Sequence, residues 1–234
     1  GIMQMNDANE ITLFEEKPQD PALQEELKLP RDWYSKLDIE SDKELWLASM
    51  GIYIFNRKTI LELLDNGHTD FGKHIIPGAI KTHKLSSYVF QGYWEDVGTI
   101  KAFFDANLDL TSNLPKFNFF DMESPVFTRP RFLPASKVNG GIIENSLLSD
   151  GCIVHKARLK DCMLGIRSIV GADTDMERVV MMGGDYYESL ESINKHQEEG
   201  KPSIGIGARS RVVNAIIDKN ARIGSDCVIT PEGK

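Results

Sequence analysis

Ile204-Gly-Ile-Gly-Ala-Arg-Ser-Arg-Val-Val-Asn-Ala-Ile-Ile-Asp-Lys-Asn-Ala-Arg-Ile-Gly-Ser-Asp-Cys-Val-Ile229 is the stretch that decides the fold of this chain. Its aliphatic residues Ile206, Val212, Ile217, Ile223 and Ile229 recur every five or six positions. Upstream, Ile143, Leu148, Val154, Leu159, Leu164 and Val170 keep the same step. Neither the 3.6-residue period of a helix nor the two-residue period of a strand generates that series. A hexapeptide repeat does, because each side of a triangular coil sends one aliphatic residue into a shared interior. The spacing therefore predicts a left-handed parallel β-helix over residues 138–234, with an ordinary β-sandwich as the alternative. Residues 181–203 are polar and read as an insertion in the coil.

Working outward, residues 113–137 hold Pro115, Pro125, Pro130 and Pro134 and read as a surface linker. Before it, residues 1–112 alternate strand and helix signals, which indicates an α/β layered domain. Ile2–Met5 and Ile11–Phe14 read as strands around an Asn-Asp-Ala-Asn turn, with partner strands expected upstream. Residues 19–45 read as a surface excursion with one short helix. Leu47–Phe55 and Ser87–Phe90 read as further strands. Asn56 and Thr99 are placed to cap helices, and a short helix is expected over Phe71–Ile80 with a break near Pro77.

The chain has 234 residues, 41% of them hydrophobic, enough to supply a real core. A net charge of -8 argues against a non-specific nucleic-acid binder, which needs a basic face. No run approaches the ~20 apolar residues of a membrane span. Residues 1–15 lack the pattern of a signal peptide, so a cytoplasmic protein is expected, or a plastid one if the source is a plant. Cys152, Cys162 and Cys227 are odd in number and far apart, and read as buried free thiols.

Two loops carry candidate chemistry. Glu15-Glu16-Lys17-Pro18 ends a strand, where a carboxylate can accept from sugar hydroxyls and an ammonium can neutralise a phosphate. A solvated charge pair is the alternative. Gly92-Tyr-Trp-Glu-Asp-Val-Gly-Thr99 sets carboxylates and aromatics between glycines before a helix, the position where α/β folds bind ligands. Asp96 suits Mg2+, a hard cation that takes one or two carboxylates plus substrate phosphates. Its alternative is helix capping or compensation of the helix dipole in the first turn. Trp94 suits the wall of a sugar site or a place in the core.

Phe14-Glu-Glu-Lys-Pro18, Ala48-Ser-Met-Gly-Ile-Tyr53, Asp70-Phe-Gly-Lys-His-Ile-Ile-Pro77 and Gly92-Tyr-Trp-Glu-Asp-Val-Gly-Thr99 together resemble the ADP-glucose pyrophosphorylases in order and spacing. The likeness continues through Pro130-Arg-Phe-Leu-Pro134, Gly184-Asp-Tyr-Tyr-Glu188, Ile204-Gly-Ile-Gly207 and Ile216-Ile-Asp-Lys-Asn-Ala-Arg-Ile-Gly224. It is closer to the cyanobacterial and plant type. The resemblance implies the C-terminal half of a Rossmann-like, GT-A-like nucleotidyltransferase domain joined to the β-helix. It implies formation of ADP-glucose and pyrophosphate from ATP and glucose 1-phosphate. Glu16, Ser49, Tyr53, Asp70, Phe71 and Trp94 would form the sugar site, and Lys17 would hold the phosphate. Asp96 would hold Mg2+ with a second Asp lying upstream, as would the nucleotide loop. Lys219, Arg131 and Arg129 would meet a small phosphorylated effector in a homo- or hetero-tetramer. For Lys219 the alternative is a surface ion pair with Asp218 or Glu232.

Three other readings compete. One is a non-catalytic regulatory or scaffolding subunit of the same family, and another is a different sugar-1-phosphate nucleotidyltransferase. The third is a hexapeptide-repeat acyltransferase, for which His155 is the only coil histidine, with no flanking residue that marks it as a base.

Overall fold

The computed structural model describes residues 1–231. They form two compact units, Gly1–Gln91 and Gly92 onward.

The first unit is built on an antiparallel three-stranded sheet of order β2-β1-β3, with β1 at Ile2–Met5, β2 at Ile11–Glu15 and β3 at Leu47–Ala48. The β1–β2 turn closes because Asn6 Oδ1 accepts from the amides of Ala8 and Glu10, each at 3.0 Å. Between β2 and β3 run helices α1 (Pro21–Glu26) and α2 (Arg31–Lys36). Asp20 caps α1 by accepting from Ala22 N at 2.9 Å. This segment is more than a surface excursion with one helix, because Leu27, Leu29 and Tyr34 are buried. Helix α3 (Arg57–Leu64) starts after Asn56, whose side chain makes no capping bond. A π-helical turn, Phe71–Ile75, then runs into α4 (Ile76–Ile80), with Pro77 in the first turn of α4 and Ile75, Ile76 and Ala79 buried.

One expected strand is cut short and another does not form. Beyond Ala48 the chain turns at Gly51, φ +71°, and residues 49–56 enter no ladder among the described residues. Ser87–Phe90 likewise makes none; Ser87 N donates to Asn9 O at 2.7 Å, and the adjoining Ser86 bridges Glu10. An apolar run becomes a strand only when a neighbour takes up its backbone groups.

The second unit opens with α5 (Ile100–Asp109), capped by Thr99, whose Oγ1 accepts from Ala102 N at 3.1 Å. Residues 110–136 contain no strand or helix. From Lys137 the chain winds into a parallel β-solenoid of about five turns. Its strands are β4 (Lys137–Glu144), β5 (Leu147–Leu148), β6 (Ile153–Lys160), β7 (Met163–Leu164), β8 (Ile169–Val170) and β9 (Asp175–Met181). After helix α6 (Leu190–Glu198) come β10 (Gly205–Ile206), β11 (Arg211–Ile217), β12 (Arg222–Ile223) and β13 (Val228–Ile229).

The register shows why the five-or-six step matters. Val138, Val154, Val170, Ile206 and Ile223 stack in one ladder. Ile143, Leu159, Met176, Val212 and Ile229 stack in a second. Leu148, Leu164, Met181 and Ile217 make the third. Ten of the eleven residues picked out by spacing are buried in the solenoid core or packed against it. Ile143 is 38% exposed, because β4 belongs to the first coil and pairs only with β6. On the outside, successive coils are joined by Arg158–Asp175 at 3.0 Å, Lys160–Glu177 at 2.8 Å and Arg209–Asp226 at 2.7 Å. Cys152 and Cys162 are buried in the core and Cys227 is half-buried, all three unpaired. Burial pushes the Cys162 thiol up to about 11.

Candidate functional site

The end of β2 sets the first group of side chains. Phe14 is buried, so the two-residue alternation turns Glu15 outward and Glu16 back toward the unit. The Glu16 carboxylate lies against Gly72, where a Cβ would stand 2.6 Å from Oε2, and the Gly1 amino group is 2.9 Å from the same oxygen. Lys17 follows with φ +52° and an exposed side chain, a backbone state that costs a residue bearing a Cβ. Pro18 is buried and its carbonyl accepts from Gln24 Nε2 at 2.8 Å, which anchors the turn that holds Lys17.

The loop after β3 brings the second group. Ser49 N donates to Gly1 O at 2.8 Å, its Oγ meets Tyr53 Oη at 3.1 Å, and Gly51 N donates to Ser49 Oγ. The Tyr53 ring stacks on Phe71, with centroids 5.9 Å apart and planes 13° apart, and Phe55 closes the trio at 6.0 Å from Phe71. Asp70 caps the π-helical turn, its Oδ1 accepting from Lys73 N at 2.9 Å. That amide bond holds the Asp70 carboxyl below the usual carboxylate range. The first unit therefore gathers Glu16, Ser49, Tyr53, Asp70 and Phe71 around one turn: two carboxylates, two hydroxyls and an aromatic platform. Carboxylates and hydroxyls on an aromatic face are the groups that recognise a sugar ring.

Trp94 and Asp96 belong to the second unit. Trp94 is 44% exposed, so it is no core aromatic within that unit. Asp96 Oδ1 accepts from Gly98 N at 3.0 Å, and the cap of α5 is Thr99. A capping role is thus not what Asp96 performs; it is an exposed hard-oxygen donor, the kind Mg2+ takes. Among the described residues no three His, Cys, Asp or Glu side chains are grouped to hold a metal. His155 Nδ1 meets Asn139 Nδ2 at 2.9 Å, an amide partner and not the carboxylate that would orient a catalytic base.

At one corner of the solenoid the chain departs into the insertion bearing α6. Gly183 has φ +89° and a Cβ there would meet Ile166 O at 2.2 Å, so only glycine fits. Asp185 then takes both neighbours on the next coil. Its Oδ1 accepts from Lys219 Nζ at 2.8 Å and its Oδ2 from Asn220 Nδ2 at 2.8 Å. These bonds hold the Asp185 carboxyl below its ordinary range. Lys219 therefore pairs with Asp185 and not with Asp218, whose Oδ1 takes the Lys219 amide; Glu232 lies outside the described residues. Arg131 donates to the Arg129 carbonyl at 3.3 Å. Among the described residues no hydrogen bond or ion pair joins Arg129 or Arg131 to Lys219.

Glu188 fastens the insertion. Its side chain is 4% exposed and takes the Ile204 amide at 2.6 Å, Arg222 at 2.7 Å and His196 Nδ1 at 2.9 Å. Beside it lies an apolar cavity of about 660 Å³, lined by Pro134, Ile153, Ile169, Ile193 and Ile204 among others. Gly72, Asp185, Glu188 and Arg222 all lie within motifs that carry the resemblance, but the sequence alone assigns them no role. Asp185, Glu188 and Arg222 act across the insertion, where no period relates them.

Residues 1–113 match the family model described as nucleotidyl transferase, and residues 131–234 match the GLGC left-handed parallel β-helix domain. The chain is 39% identical over 233 residues to the glucose-1-phosphate adenylyltransferase large subunit 1, chloroplastic/amyloplastic, of Zea mays. That match takes in 98% of this chain and 45% of the maize protein, so the chain spans about half the length of its curated relative. No helix among the described residues is long and apolar enough to cross a membrane. With a nucleotidyl transferase sequence leading into a left-handed β-helix of the GLGC type, the chain belongs to the family of the glucose-1-phosphate adenylyltransferases, the ADP-glucose pyrophosphorylases.

Proposed function

We propose that the protein carrying this chain makes ADP-glucose and pyrophosphate from ATP and glucose 1-phosphate in starch or glycogen synthesis, and that this chain supplies the sugar-phosphate half of the site. The convergence of Glu16, Ser49, Tyr53, Asp70 and Phe71 on one turn carries the proposal. In the reaction a phosphate oxygen of glucose 1-phosphate forms a bond to the α-phosphorus of ATP. The bond from that phosphorus to the β-phosphate bridging oxygen breaks, and its electron pair leaves with pyrophosphate. Glu16 and Asp70 accept from sugar hydroxyls, the Tyr53–Phe71 stack provides an apolar face, and Lys17 neutralises the sugar phosphate. Such a site accelerates transfer by positioning and charge neutralisation. Asp96 would bind Mg2+, which when bound supplies positive charge to the phosphate oxygens.

The β-helix serves as an assembly and regulatory domain in a homo- or hetero-tetramer, in the cytoplasm or in a plastid. Lys219, with Arg131 and Arg129, receives a small phosphorylated effector. A second reading is a regulatory subunit without turnover of its own, which the large-subunit name of the maize relative favours.

The test is a pair of variants in the intact protein. Lys17→Ala raises the KM for glucose 1-phosphate at least tenfold, the loss of about 1.5 to 3 kcal/mol expected for one charge-assisted phosphate contact, with little change for ATP. Asp96→Asn instead lowers kcat at saturating substrates. Equal effects of Lys17→Ala on both substrates, or unchanged turnover in Asp96→Asn, would remove those assignments. No turnover in the unmodified protein alone, restored by a partner subunit, would select the regulatory reading.

A further inference from the structure

The cation assigned to the effector is already paired within the chain. Asp185 stands at the first step of the insertion, immediately after the corner at Gly183 and Gly184. Both of its carboxylate oxygens are filled from the next coil, one by the Lys219 ammonium and one by the Asn220 amide, each at 2.8 Å. Two oxygens of one anion facing an ammonium and an amide is the arrangement a bound phosphate or carboxylate would take. The charge field there is positive on a further side, since Arg167 also lowers the Asp185 carboxyl while its guanidinium donates to the Gly184 carbonyl at 3.2 Å.

The seat holds without the ion pair. Asp185 N donates to Asn220 Oδ1 at 2.8 Å, Asn220 N donates to Gly183 O at 3.0 Å, and Glu188 clasps the insertion further along. The Asp185 and Lys219 side chains are about half exposed, 52% and 50%, so solvent and solutes reach the pair. An exposed ion pair is weak, and a ligand of higher charge can displace it.

We infer that Asp185 is a tethered competitor, an internal carboxylate that occupies the Lys219–Asn220 seat and must give way when an anionic effector binds. Tethering keeps it at high effective concentration, so it sets the threshold at which a free anion takes the seat. The inference rests on the reading of Lys219 as an anion-binding residue and adds to it the group that regulates access.

The experiment is a titration of the intact protein with inorganic phosphate at fixed ionic strength, followed by calorimetry, for the unmodified protein, Asp185→Asn, Lys219→Ala and the double variant. Asp185→Asn is expected to tighten phosphate binding roughly two- to fivefold, the range an exposed ion pair allows. Lys219→Ala is expected to weaken it, and the gain from Asp185→Asn is expected to vanish in the double variant. Asp185→Ser gives a second test should the Asn form keep the seat filled through its amide oxygen. Binding unchanged or weakened in both Asp185 variants, with Lys219→Ala still damaging, overturns the competitor and leaves the anion site standing. A gain that persists without Lys219 reduces Asp185 to a diffuse charge effect and also overturns it. Phosphate binding indifferent to Lys219→Ala removes the anion site and the inference with it.

Discussion

Gly72 and Glu16 are in contact so close that the space beside the carboxylate exists only because residue 72 has no side chain: an added Cβ would stand 2.6 Å from Oε2. The φ of Gly72 is not in the left-handed region, so space and not backbone freedom is what requires glycine there. Gly72→Ala is expected to fold, because the obstructing atom is the end of a flexible side chain, but to swing Glu16 away from the sugar. In the intact protein the KM for glucose 1-phosphate then rises about tenfold while that for ATP holds, as expected for the loss of one charge-assisted hydrogen bond. Steady-state kinetics on the two substrates decide it. An alanine enzyme with unaltered sugar-phosphate kinetics would mean that Glu16 does not contact the sugar.

Glu188 gives the solenoid a titratable fastening. Burial alone would raise its carboxyl, but the Ile204 amide, Arg222 and His196 outweigh burial and hold it below the usual range. A carboxyl depressed in the folded state stabilises above its unfolded value of about 4.3, and that stabilisation is lost as pH falls through the folded value. Glu188→Gln should therefore cost about 2 kcal/mol at pH 7, since it leaves Arg222 without its carboxylate, and the difference from the unmodified protein should shrink as pH drops below 4. Thermal melts between pH 3 and pH 8 measure it. A gap that stays constant across that range would show that the residue contributes shape and not charge.

The second aliphatic ladder sets up a graded comparison within one row of the solenoid. Leu159 is fully buried and Ile143, its neighbour in the register, is 38% exposed. Leu159→Ala leaves a cavity and should cost about 2 to 5 kcal/mol. Ile143→Ala removes a side chain already in contact with solvent and should cost less than about 1.5 kcal/mol. Urea denaturation of both variants tests the order. Equal losses would mean that the first coil is covered in solution.

The solenoid was legible because its period is carried by single side chains: Val154, Leu159, Leu164, Val170, Ile206, Val212 and Ile217 each needed only to be aliphatic and correctly spaced. Met176 and Met181 complete two of the ladders and escaped notice, since methionine fills irregular space and does not announce a row. Strands that depend on a partner were over-read. Leu47–Phe55 is largely apolar, yet only Leu47 and Ala48 pair in a ladder. In the candidate site, the residues within Phe14–Pro18, Ala48–Tyr53 and Asp70–Pro77 were visible as motifs, because each motif is local. Asp185, Lys219, Glu188 and Arg222 also lie in motifs, but the pairing of Asp185 with Lys219 and of Glu188 with Arg222 is not legible, because their 34-residue separations are set by where the insertion folds back.

The register across that insertion is continuous. Asp175 and Arg211 face each other although they lie 36 positions apart, whereas Arg211 and Val228 face each other at 17. The excess of 19 is the length of the segment 185–203, and the ladders on either side continue as if it were absent. The corner after Gly184 is thus a port: the register of the coils does not depend on the length of the cassette, which is fastened to them through Asp185 and Glu188. A segment mounted at such a port adds side chains to the surface while the aliphatic ladders that carry it keep their step.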